Sequence, residues 1–318
     1  MFNFEAHSKK DRKPITQLWQ LNGECPDATI PIRRTKREDS MRKNTIKKYG
    51  TKKFNIIPYP SLPDIKFANQ VGLEHVIAFV EDKFYGAKGT INVWKPQIQI
   101  QDECSLSGIW LLGGSDTGLN SIQAGWMVYP KLFGDNNTRF FIYWTRDGYN
   151  STGCYNLQCS GFVQVTKQMA LGAAIKPISI YHGSQSDFTL TVWKDERQKV
   201  WWLRFQDTII GYWPTSIFTY LGDRASVVEW GGLVTNTNLN GQHTTTQMGS
   251  GHFAEEWFRG ASYFRNLEII EQTSNIRSAN GLGNVVDKPK CYNLKFGNSE
   301  DWGNFFYYGG PGKNPNCP

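Results

Sequence analysis

Several residue groups along this chain are of a type and spacing that chemistry can use. Asp116-Thr117-Gly118 spells a loop in which an aspartate activates water. That chemistry needs two aspartates sharing one proton, and the tripeptide occurs once. It is read as a turn, where such residues are ordinary. Ser250 lies two residues from His252 in Gly-Ser-Gly-His-Phe. A nucleophile–base pair is made by geometry and not by sequence proximity, so a glycine turn is expected there. Glu229, Glu255 and Glu256 have no identifiable partner carboxylate. They are read as solvated or salt-bridged surface acids. No P-loop or dinucleotide fingerprint is present, so no cofactor is expected.

The cysteines are Cys25, Cys104, Cys154, Cys159, Cys291 and Cys317, without a C-x-x-C, and His is scarce. No metal site is expected from that pattern. Cys154 and Cys159 bracket a short loop, and Cys291 and Cys317 bracket the Gly/Pro-rich tail. Each pair reads as a disulfide staple. Cys104 reads as a buried thiol, and Cys25 falls outside the main domain. Asn136-Asn137-Thr138 and Asn150-Ser151-Thr152 are glycosylation sequons in expected loops. Together with paired cysteines they favour an oxidising, secretory route. The opening MFNFEAHSKKDRK lacks the apolar core of a secretion signal; a truncated gene start would reconcile the two.

The elements that must position these groups are strands. The 318 residues carry Gly 31, Tyr 14, Phe 19 and Trp 12, a strand-and-turn composition. Runs such as TINVWK (90–95), IWLLGG (109–114), IQAGWMVYP (122–130), RFFIYWT (139–145), FVQV (162–165), DFTLTVWK (187–194), VWWLRF (200–205), SVVEWGGLV (226–234) and SYFRNLEII (262–270) alternate with Gly/Asn/Asp turns. That pattern predicts an all-β antiparallel sandwich of jelly-roll type. One short helix is expected at PTSIFTYLGD, entered at Pro214 and left at Gly222. No apolar run is long enough for a spanning helix, so no membrane partner is expected.

Charge is unevenly placed. Residues 1–53 hold 14 Lys/Arg against 6 Asp/Glu, and residues 54–318 hold 21 against 22. The basic character is confined to the first sixth, read as a solvated arm, and no nucleic-acid partner is expected for the rest. The chain divides into three regions: a segment at 1–55 with a short helix expected over Glu38–Lys48, a linker at 56–69 with Pro58, Pro60 and Pro63, and a sandwich domain at 70–318. A monomer is expected.

Ordered motifs then carry a resemblance. QLWQLNGECPDATIPIRR, IWLLGG, AGW–VYP–LFGDN, TGCYNL–CSGFVQ, IGYWP, WGG–V, HTTTQMGSGHF and YYGGPG–NPNCP run through nearly the whole chain. It resembles the plant neprosin family. The resemblance implies an N-terminal activation segment and a β-sandwich peptidase domain like that of glutamic peptidases. It also implies secretion or a vacuolar location, and cleavage after proline at acidic pH. Its cysteine positions match the two staples. In that family two glutamates face each other across a sheet, one deprotonating water and one supplying a proton, while a glutamine stabilises the oxyanion.

Carried over residue by residue, the first glutamate position is Gln123, the second is Leu233 and the glutamine position is Gly108. An amide, a hydrocarbon and a hydrogen replace the three groups, which implies a degenerate peptidase. Trp110, Gln123, Gly125, Gly231 and Glu229 remain candidates to line a groove for an extended, proline-rich peptide or protein. Gly125 and Gly231 are read as leaving room for its backbone. An active secreted glutamic endopeptidase using relocated acids, and a carbohydrate-binding sandwich, are the alternatives.

Overall fold

The computed structural model describes residues 15–34, 72–237 and 239–318; the helix expected at Glu38–Lys48 and the proline linker lie outside them. The strands in chain order are β1 (Thr16–Gln17), β2 (Leu73–Phe84), β3 (Gly86–Asn92), β4 (Ser105–Gly113), β5 (Asn120–Val128), β6 (Arg139–Thr145), β7 (Val163–Gln164), β8 (Ile175–Lys176) and β9 (Asp187–Asp195). They continue as β10 (Val200–Phe205), β11 (Thr208–Pro214), β12 (Ala225–Thr235), β13 (Ser262–Ile270), β14 (Ile276–Ser278), β15 (Gly283–Val286), β16 (Asn293–Ser299) and β17 (Gly303–Gly309).

Two antiparallel sheets form the expected sandwich. One has six strands in the order β15-β2-β12-β4-β5-β6. The other runs β16-β17-β13-β3-β9-β10-β11-β7, with β14 paired to β13. Alternation puts one face of each strand into a shared core. Phe188, Leu190 and Val192 of β9 pack with Ile122, Ala124 and Trp126 of β5 and with Val228 and Trp230 of β12. The buried indoles need partners for their N–H groups. Trp126 Nε1 donates to the Asn92 carbonyl at 2.9 Å, and Trp230 Nε1 to the Lys88 carbonyl at 3.2 Å. Both bonds tie the six-stranded sheet to β3 of the other.

The helix expected after Pro214 is only a 3₁₀ turn over Thr215–Ile217. Asn120 is the reason. Its Oδ1 accepts from the backbone N–H of Tyr220 at 2.8 Å and of Leu221 at 3.2 Å. Those amides are therefore taken from any continuing helical ladder. The two staples are present as the disulfides Cys154–Cys159 and Cys291–Cys317. Cys25 and Cys104 are free thiols, Cys104 buried.

Candidate active site

The outer face of the six-stranded sheet carries the sequence-derived residues. Cross-strand partners share a face, so pairing places them in rows. The first row is Phe79 (β2), Glu229 (β12), Trp110 (β4), Gln123 (β5) and Tyr143 (β6). The second is Ile77, Gly231, Gly108, Gly125 and Phe141, and the third His75, Leu233, Leu106, Met127 and Arg139. Trp110 and Gly108 share a face as alternation requires.

Glu229 is not a surface acid. It is 1% exposed and makes no ion pair among the described residues, and its Oε1 has no hydrogen-bond partner. Burial, helped by the charge of Glu81, pushes its carboxyl well above the usual glutamate range. The proton therefore stays on Glu229 where an exposed glutamate would have lost it. Two strand spacings, roughly 10 Å between Cα atoms, separate Glu229 from Gln123, with the Trp110 side chain between them.

Gln123 is also buried. Its Nε2 donates to Tyr149 Oη at 2.7 Å and to Ser121 Oγ at 3.2 Å. Both amide hydrogens are used, which leaves Oε1 as its acceptor. Burial pushes the Tyr149 phenol up, so Tyr149 keeps its hydrogen as a donor. Tyr149 sits at φ 66°, in the left-handed region, a conformation costly for an aromatic residue unless its surroundings impose it.

Asp147 imposes it. Its carboxylate accepts from the Thr152 hydroxyl at 2.7 Å, the Ser151 hydroxyl at 2.6 Å and the Ser151 backbone N–H at 2.9 Å. Burial raises this carboxyl, but those hydrogen bonds outweigh it and pull it down to about 2. Thr145 Oγ1 joins the same network at 3.0 Å and accepts from the Tyr149 N–H at 3.1 Å. A pinned turn thus delivers Tyr149 to Gln123. Tyr143 closes this end of the row, its ring centroid 5.8 Å from Tyr149 and 4.7 Å from Tyr155.

Leu233, the expected second acid position, stands two rows from Gln123. It is buried in an apolar cluster with Leu106 and Met127. The glycines of the second row are required by the sheet, not by room for a ligand. A Cβ on Gly125 would lie 2.0 Å from the Ser107 carbonyl oxygen, and one on Gly231 2.2 Å from that of Val76. On Gly108 it would meet the Ala124 oxygen at 2.6 Å.

The other sequence candidates fall elsewhere. Asp116–Gly118 is a 3₁₀ turn with Asp116 and Thr117 exposed. The His252 imidazole bonds Glu256 Oε1 at 2.9 Å rather than Ser250. Glu255 is exposed and paired with Lys295 at 3.2 Å. The cluster of His243, Cys291 and Cys317 has its two sulfurs joined to one another. Tyr149, Tyr143 and Ser121 were not among the sequence-derived site residues; the turn signal Arg-Asp-Gly-Tyr-Asn after β6 was legible, but not where it would fold.

The chain matches the family model described as Neprosin over residues 101–311 and that described as Neprosin activation peptide over residues 2–79. The second match runs into β2, which lies between β15 and β12 within the six-stranded sheet. Among solved structures, scytalido-glutamic peptidase with a peptide-based transition state analog is 9% identical. That match covers 76% of this chain and 98% of that one, at a TM-score of 0.38. SCP-B, a member of the eqolisin family in complex with the tripeptide Ala-Ile-His, is 10% identical, covering 75% and 98%, also at 0.38. CG-16, a homodimeric agglutinin from chicken liver, is 9% identical, covering 48% and 87% at 0.26. With its model spanning two thirds of the sequence, the neprosin family is the one to which this chain belongs.

Proposed function

We propose that the chain is a peptide hydrolase with one working carboxyl group, Glu229. The observation that carries this reading is a buried glutamate with an unpartnered oxygen in the same row as Gln123. Ionised Glu229 takes a proton from water as the water oxygen bonds to the peptide carbonyl carbon. The carbonyl electrons move onto oxygen, and the Tyr149 hydroxyl is the donor that meets them. Gln123 holds Tyr149 in place through the bond from its Nε2 to the phenol oxygen. Glu229 then returns the proton to the leaving nitrogen as the C–N bond breaks. Phe79, Trp110 and Tyr143 supply apolar ring surface suited to proline. The exposed Asn136 and Asn150 and the two disulfides fit a secreted or vacuolar glycoprotein.

A groove that binds proline-rich peptide without turnover is the rival. It is favoured by the lack of a second carboxyl in the row, since Gln123 takes up no proton at working pH. Turnover of a proline-containing peptide by wild type and by Glu229→Gln separates the two. Loss of about 10²–10⁴-fold in Glu229→Gln supports hydrolysis. An inert wild type that still binds the peptide supports the rival.

A further inference from the structure

The N-terminal residues 15–34 are built into the edge of the sandwich. β1 pairs antiparallel with β8, Thr16 opposite Lys176 and Gln17 opposite Ile175. Gln17 is 1% exposed. Its side-chain amide acts as an extra peptide unit: Nε2 donates to the Ala170 carbonyl at 2.8 Å, and Oε1 accepts from the Ala170 N–H at 2.7 Å. Oε1 also accepts from Trp19 Nε1 at 2.6 Å. Ile15 enters the sandwich core. Gln20 Nε2 donates to the Gln168 carbonyl at 2.9 Å. Further along, Arg33 donates from Nη2 to the Phe133 carbonyl at 3.0 Å and lies over the Phe133 ring.

These contacts cover a vulnerable place. The 172–175 segment continues the ladder from β6, the last strand of the six-stranded sheet, through Phe140 N–H to the Ala173 carbonyl and Gly172 N–H to the Phe140 carbonyl. Without Gln17, the Ala170 N–H loses its partner in a buried setting, which is costly, and the Ala170 carbonyl keeps only the Ala173 N–H at 3.2 Å.

We propose that the surface made by Gln168, Ala170, β8 and the Phe133 rim is a binding site for residues 15–34. Cleavage between those residues and β2 then leaves a two-chain protein in which the N-terminal piece stays bound without a covalent link. The match to the activation-peptide model, residues 2–79, spans the stretch of chain between those residues and β2. Retention of the piece is independent of which groups perform hydrolysis.

The test inserts a site-specific protease recognition sequence within residues 45–55 of the full chain. The nicked protein is then passed over a sizing column in native buffer, with mass spectrometry of the peak. Co-elution of both pieces, and separation only in denaturant, is expected. In nicked Gln17→Ala the N-terminal piece leaves roughly 10- to 100-fold faster, while near-ultraviolet circular dichroism shows the large piece folded at the outset. Separation of the wild-type pieces in native buffer, with the large piece keeping its spectrum and melting temperature, overturns the proposal. Equal release rates for wild type and Gln17→Ala also overturn it.

Discussion

Glu229 and Gln123 stand in one row of the six-stranded sheet, one on each side of Trp110. Only the first of them titrates. The row therefore joins a titratable group to a fixed amide, and the proposed hydrolysis depends on that asymmetry.

Substituting Gln123→Glu puts a second carboxyl in the row at almost no change of shape. Turnover should rise, and the pH profile of kcat/KM should change from one ionisation to two, because the two acids then titrate as a coupled pair. A profile that keeps a single ionisation would place Gln123 outside the reacting region.

Glu229 also sets a pH dependence of stability. Its folded carboxyl is raised above the unfolded one, so its contribution is fully present below the unfolded value and lost as pH rises through the folded one. Glu229→Gln should raise the melting temperature at pH 7 and change it little at pH 4. Equal melting curves at pH 7 would contradict the burial argument.

Asp147 has the opposite sign. Its folded carboxyl is lowered to about 2, so its contribution is present above the unfolded value and lost as pH falls through about 2. Asp147→Asn should cost about 1–2 kcal/mol at neutral pH and reduce turnover by loosening Tyr149. The stability difference should fade toward pH 2. Denaturant melts at pH 7 and pH 2.5, with kinetics on the folded protein, check both effects.

Leu233 and Gly125 should behave as structural residues. Leu233→Ala is expected to cost about 2–5 kcal/mol while turnover per folded molecule stays near wild type. Gly125→Ala should not fold to the native sheet, given the 2.0 Å approach to the Ser107 oxygen. Soluble, fully active Gly125→Ala would show that the strands can yield there.

The sandwich was legible because Phe188, Leu190 and Val192 alternate with Thr189 and Thr191, and RFFIYWT and VWWLRF match β6 and β10 residue for residue. β2 was not singled out, since Glu74, His75, Glu81, Asp82 and Lys83 interrupt its apolar pattern. Glu229 was misread for a related reason. Read as a surface acid, Glu229 is buried, because cross-strand register, which sequence spacing does not encode, put it beside Trp110. One signal was available: Glu229 is an acid inside the apolar run SVVEWGGLV, where an acid would be buried. Tyr149 was invisible because its place depends on a turn held by Asp147 through backbone and hydroxyl contacts.

The most direct test of Glu229 as the working carboxyl is kcat/KM against pH on a proline-containing peptide, for wild type and Glu229→Gln. In wild type, kcat/KM should climb with pH through one ionisation above the ordinary glutamate range, because the base must be ionised. In Glu229→Gln that limb should vanish with the activity. A Glu229→Gln protein that retains wild-type turnover and the same pH limb would contradict the account.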